Sequence, residues 1–82
     1  MMTKDLLYDY VTHGREIEFK FNDKMYSITY GTIDEREVIS FCEFYKETTE
    51  ITTFDELLRV SRNGFTVLQM WNSLTENDIW IY

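Results

Sequence analysis

No proline interrupts this chain, and only three glycines, Gly14, Gly31 and Gly64, punctuate its 82 residues. Nothing in it has the composition of a linker, so residues 1–82 read as a single domain. One cysteine, Cys42, excludes an internal disulfide and suits a reducing cytoplasm. One histidine, His13, leaves no second imidazole and no thiolate pair to close a tetrahedral metal site. No apolar run approaches the ~18 residues of a membrane span. The opening Met1-Met2-Thr3-Lys4-Asp5 lacks the apolar core of a signal peptide. These absences give the expectation of a cytoplasmic protein with no membrane partner and no cofactor.

What the chain has in quantity is apolar side chains and negative charge. Hydrophobic residues make up 44% and aromatics 17%, enough for a core without covalent staples. The formal net charge is −7. Eight carboxylates (Asp34, Glu35, Glu37, Glu43, Glu47, Glu50, Asp55, Glu56) meet two cations, Arg36 and Lys46, between residues 34 and 56, so that stretch alone carries −6. A local field of one sign selects partners of the other. Phosphates are repelled by it, so direct nucleic-acid binding is not expected.

Periodicity divides the chain into elements. Thr3 caps a first helix in which Leu6, Leu7, Tyr10 and Val11 recur at helical spacing, and Gly14 stops it. Ile17, Phe19 and Phe21 alternate with Glu16, Glu18 and Lys20, the period-two pattern of a half-buried strand. Asn22-Asp23-Lys24 is turn chemistry, and Tyr26, Ile28 and Tyr30 alternate with Ser27 and Thr29, so an antiparallel hairpin is predicted. Gly31 to Arg36 reads as a loop and Glu37 to Tyr45 as a third strand. Val38, Cys42 and Phe44 on one face and Ile39 and Phe41 on the other suggest cover on both sides, the first helix on one and the later helices on the other.

Lys46 to Thr53 reads as a polar connection. Thr53-Phe54-Asp55-Glu56 fits a capping box for a second helix with Leu57, Leu58 and Val60 buried, ended by Asn63-Gly64. Thr66 and Gln69 repeat the capping pattern before Val67, Met70, Trp71 and Leu74, which predicts a third helix. A strand competes over residues 65–74 because Phe65-Thr66-Val67 favours extended backbone. Ile79-Trp80-Ile81-Tyr82 is an apolar tail, a candidate fourth strand at a sheet edge. The predicted fold is therefore α+β: an N-terminal helix, a three-stranded antiparallel sheet with a possible short C-terminal fourth strand, and two C-terminal helices.

Phe54-Asp55-Glu56-Leu57-Leu58, then Asn63-Gly64, then Leu68 and Trp71, after the hairpin run Tyr26-Ser27-Ile28-Thr29-Tyr30, resembles a pattern in small uncharacterised proteins of Gram-positive bacteria and their phages. The resemblance implies an α+β fold and an origin on a mobile element, and it carries no activity.

Chemistry-bearing residues are few. His13 at a helix end reads as a dipole-compensating surface group, and Cys42 in a strand as a small apolar one. Only a fold that brought the two together would make a nucleophile and base. Tyr26, Tyr30, Phe41 and Tyr45 sit among carboxylates rather than cations, so they read as core rather than as base-stacking platforms. The candidate partner-binding residues are the carboxylates Glu35, Glu37, Glu43, Glu47 and Glu50 and the aromatics Trp80 and Tyr82. They point to a non-enzymatic protein-interaction module whose partner has a basic surface. The alternative is a nucleic-acid mimic, with Glu35, Glu37, Glu43 and Glu47 in line on one strand face if the segment is extended. A homodimer through the tail or an edge strand is a further expectation.

Overall fold

A computed structural model describes residues 1–82. Helix α1 spans Lys4–Thr12, strands β1 Ile17–Phe21, β2 Lys24–Ile33, β3 Arg36–Glu43 and β4 Thr48–Ile51 follow, then helix α2 Phe54–Arg59. A hairpin of β5 Ser61–Arg62 and β6 Phe65–Thr66 leads into helix α3 Val67–Ser73, a 3-10 turn Glu76–Asp78 and strand β7 Ile79–Ile81. The main sheet is antiparallel throughout, in the order β4-β3-β2-β1-β7.

The sheet thus has five strands, with a separate two-stranded hairpin, and not the three strands with a possible C-terminal fourth that the sequence suggested. Two physical reasons account for the difference. Strand β4 (Thr48-Thr49-Glu50-Ile51) buries only Ile51, so its alternation is almost silent in the sequence. Strand β7 is short, and its place beside β1 is decided by a contact across the length of the chain.

Turns set the register. Asn22 and Asp23 both have positive φ (49° and 62°) and close β1 on β2 as a two-residue loop. Asp34 and Glu35 do the same between β2 and β3 (51° and 65°), so the expected loop from Gly31 to Arg36 is almost wholly strand. Positive φ at both turn positions matches the twist of the flanking strands. Asn63 and Gly64 (56° and 87°) are likewise the turn between β5 and β6 and not the end of α2, which stops at Arg59.

Helix ends follow their caps. Thr3 Oγ1 accepts the Leu6 N–H at 3.3 Å. At the other end Arg15 N–H bonds to Tyr10 O and Gly14 N–H to Val11 O, the Schellman pattern, with Gly14 at φ 69°. Thr66 and Gln69 form a reciprocal box, at 2.8 Å and 3.1 Å. That cap resolves residues 65–74 into two parts: Phe65-Thr66 is strand and Val67 onward is helix. At α2 only half the box forms. Glu56 N–H donates to Thr53 Oγ1, while the Glu56 carboxylate accepts the hydroxyls of Thr52 and Thr53.

All three helices lie on one face of the sheet, against the expectation of cover on both. The core is one cluster that joins Leu7 and Val11 of α1, Leu57 and Leu58 of α2, and Val67, Met70 and Trp71 of α3 to Ile17, Phe19, Tyr26, Ile28, Ile39, Phe41 and Ile51. Those strand residues share one face by register. Val38, on the other face, is the one buried apolar residue outside the cluster.

Rings organise the core. Tyr26 stacks between Phe19 (5.2 Å) and Phe41 (5.7 Å), and Trp71 meets Phe19 edge-on at 6.3 Å. Trp71 is fully buried, and its indole N–H donates to the main-chain oxygen of Thr3 at 2.7 Å, which ties α3 to the start of α1. Trp71→Ala should cost about 3–5 kcal/mol. Trp71→Phe should still cost about 0.5–1.5 kcal/mol, because the Thr3 oxygen loses the indole donor and keeps only the Leu7 N–H. Urea unfolding of the two variants checks both, and a neutral Trp71→Phe would mean that the bond does not hold the helices together.

Candidate interaction surface

The uncovered face of the sheet carries short polar side chains. Register aligns Trp80, Glu18, Ser27, Cys42 and Thr48 in one row across all five strands. A second row holds Thr29, Ser40 and Glu50. The aromatics stand at the β7 margin. Trp80 is 43% exposed and Tyr82 60%.

Tyr82 is fixed by three bonds. Its N–H donates to Glu16 O (2.8 Å), its hydroxyl donates to Glu18 Oε1 (3.3 Å), and its main-chain oxygen accepts from Arg15 Nε (2.8 Å). The two candidate aromatics therefore lie beside a pair of carboxylates, Glu16 and Glu18, that the sequence reading had not singled out. Their shared face was visible in the alternation of β1, but the docking of residues 79–82 against them was not.

The acidic segment is dispersed by the fold. Glu35 lies in the β2–β3 turn with Asp34, and Glu37 follows at the start of β3. Glu47 lies beyond the far end of β3, in the connection to β4, and Glu50 is exposed on β4. Glu43 is only 8% exposed. It faces the helices, and its Oε1 accepts from Asn63 Nδ2 at 3.0 Å, a nitrogen also 3.0 Å from the Tyr26 hydroxyl. The preceding residue of the hairpin, Arg62, lies over the Phe41 ring (5.7 Å) and donates to Thr49 Oγ1 (3.1 Å). Glu43 thus anchors the β5–β6 hairpin to the sheet.

The ion pairs of the chain are His13–Asp9 at 3.3 Å, when the imidazole is protonated, and Lys20–Asp23 at 4.0 Å. No carboxylate between Asp34 and Glu56 has a cationic nitrogen within 4.0 Å. His13 is exposed at the end of α1, on the helix side, while Cys42 belongs to the row on the open face, so the sheet separates imidazole from thiol. The single Cys42 S–H has two main-chain acceptors in reach, the oxygens of Glu43 (3.1 Å) and Lys46 (3.3 Å), beside a turn in which Tyr45 is fully exposed at φ 69°. No three His, Cys, Asp or Glu side chains converge as a metal cage.

With this geometry in hand, comparison with protein-family models, curated proteins and solved structures found no match.

Two phenols are perturbed. Hydrogen bonding to Glu37, then partial burial and repulsion from the same carboxylate, raise Tyr30 above its ordinary 10.0. Tyr82 is raised by desolvation first, then by the charge of Glu18, its hydrogen bond to Glu18 and the charge of Glu16. A raised folded value means that the unfolded chain loses these protons first. Their contribution to stability is complete below pH ~10 and disappears as pH climbs through the folded values. Stability measured by urea unfolding should fall above that pH, and less steeply in Tyr30→Phe/Tyr82→Phe. Identical slopes for the two proteins would contradict the assignment.

Asn63→Gly tests the buried carboxylate without straining the backbone, because glycine accepts the positive φ. Loss of the amide should cost about 1.5–3 kcal/mol, the range for a hydrogen bond to a charged group. The same urea titration reads it.

Proposed function

We propose that this chain is a small non-enzymatic protein-interaction module of the cytoplasm that approaches a partner with a basic surface by charge and holds it by shape. The observation that supports it most is the absence of any close cation beside the carboxylates of residues 34–56. All of them but the buried Glu43 are exposed, so their field reaches solvent. Such a field steers encounter and selects against acidic surfaces, and it acts over about a Debye length, roughly 8 Å at physiological salt. Separation of Cys42 from His13 by the sheet supports a role without covalent chemistry. The single free thiol suits a reducing compartment.

The mimic reading needs carboxylates in an unbroken line. Glu43 is buried between Glu37 and Glu47, and Glu35 belongs to a turn, which favours the interaction module instead.

Affinity capture with the full chain, at low and high salt, tests the proposal. A quadruple variant, Glu35→Gln, Glu37→Gln, Glu47→Gln and Glu50→Gln, is run in parallel. A protein with a basic surface should be retained by the native chain at low salt and lost at high salt and with the variant. If native chain and variant capture the same proteins at every salt concentration, charge does not direct the binding.

A further inference from the structure

Strand β7 is an unprotected sheet edge. Glu18 faces Trp80 and Glu16 bonds to Tyr82, so the even-numbered residues of the tail point their main-chain groups at β1. In an antiparallel ladder these orientations alternate. The N–H and C=O of Ile79 and Ile81 therefore point outward. The strand carries no charge, no proline and no bulge, the devices that normally blunt an edge. At the opposite edge, β4 has the exposed charge of Glu50 and the guanidinium of Arg62 on Thr49.

The surroundings of β7 are acidic on the open face and apolar on the other. Glu16 and Glu18 flank it beside Trp80 and Tyr82. The nearby cations are Arg15, whose Nε is bound to Tyr82, and Lys20, whose amine is 4.0 Å from Asp23. On the helix side Thr75 and Glu76, which lead into β7, wall a groove of about 430 Å³ with Met1, Met2, Leu6 and Tyr10. A strand added to β7 would send alternate side chains to the open face, beside Trp80, and to the helix side, beside Ile79 and Ile81.

We propose that β7 binds an extended peptide segment by strand addition, the segment carrying lysine or arginine on the side of Trp80 and Glu18 and apolar residues on the side of Ile79 and Ile81. Main-chain bonds to Ile79 and Ile81 supply affinity, and the alternating side chains supply specificity. The basic side chain passes over the Trp80 ring toward the carboxylates, where the aromatic face and the charge both favour a cation. A second copy of the chain fits less well. Each copy brings a net charge of −7, and a three-residue edge buries little area against the ~1,200 Å² of a stable interface. The proposal rests on the reading of the chain as an interaction module and assigns the surface and the partner class.

The test uses the full chain with labelled amides and a synthetic peptide alternating lysine and valine. Its controls are a glutamate–valine counterpart and a version N-methylated at alternate residues. The lysine peptide should slow hydrogen exchange at the Ile79 and Ile81 amides, and neither control should. Trp80→Ala should weaken binding roughly tenfold and Glu18→Gln about two- to fivefold. Binding that leaves the Ile79 and Ile81 amides unprotected and perturbs residues 34–37 instead overturns the edge and spares the charge-directed module. Equal binding of the glutamate peptide overturns the partner class. Protection that grows with protein concentration alone gives the edge to a second copy. Failure of the lysine peptide to bind at low salt overturns this proposal alone, and the salt-dependent capture with the quadruple variant decides the role of charge separately.

Discussion

Three rings in file across neighbouring strands, Phe19, Tyr26 and Phe41, with Trp71 edge-on to the first, fix what the rest of the molecule can do. They commit one face of the sheet to the helices. A slip of one residue in any of the three strands would turn a ring out to solvent, so the stack holds the register as well as the core. With the exception of Val38 the buried apolar residues follow to the same side, as do α1 through the Trp71–Thr3 bond and the β5–β6 hairpin through Asn63 and Glu43. The other face is left with Ser27, Thr29, Ser40, Cys42 and Thr48, which ask for no cover.

How much of this the sequence disclosed depends on how loudly each element speaks. The first helix announces both its ends through Thr3 and Gly14, and β1 and β2 alternate without ambiguity. Strand β4 has one buried residue, and edge strands need no more than that. The Asp34-Glu35 turn was hidden because glutamate is an unusual choice at positive φ. Val38 and Phe44 suggested a second covered face, yet a single buried valine does not require a layer of helices above it. Of the candidate site residues, Trp80 and Tyr82 were legible as an exposed apolar tail. Glu43 was not legible as a buried anchor, because its partner Asn63 arrives from twenty residues away.

Charge and shape occupy different parts of the molecule. The acids of residues 34–56 are spread from one end of β3 to the other, giving a broad field rather than a focused pocket. The uncharged edge, by contrast, is β7, where Glu16 and Glu18 add their own charge to a strand that has none. The exposed acids and the uncharged edge therefore belong to separate segments of the chain.

Strand β7 also joins the sheet last in chain order, setting Tyr82 against Glu18 across 64 positions. The hairpins β1–β2 and β2–β3 close through two-residue turns, whereas this contact must bring distant parts of the chain together, at a greater entropic cost. During synthesis, four strands of the sheet are made before the fifth exists. A nascent polypeptide halted short of Ile79 would present β1 itself, with Ile17 and Phe19, as a temporary border of the sheet.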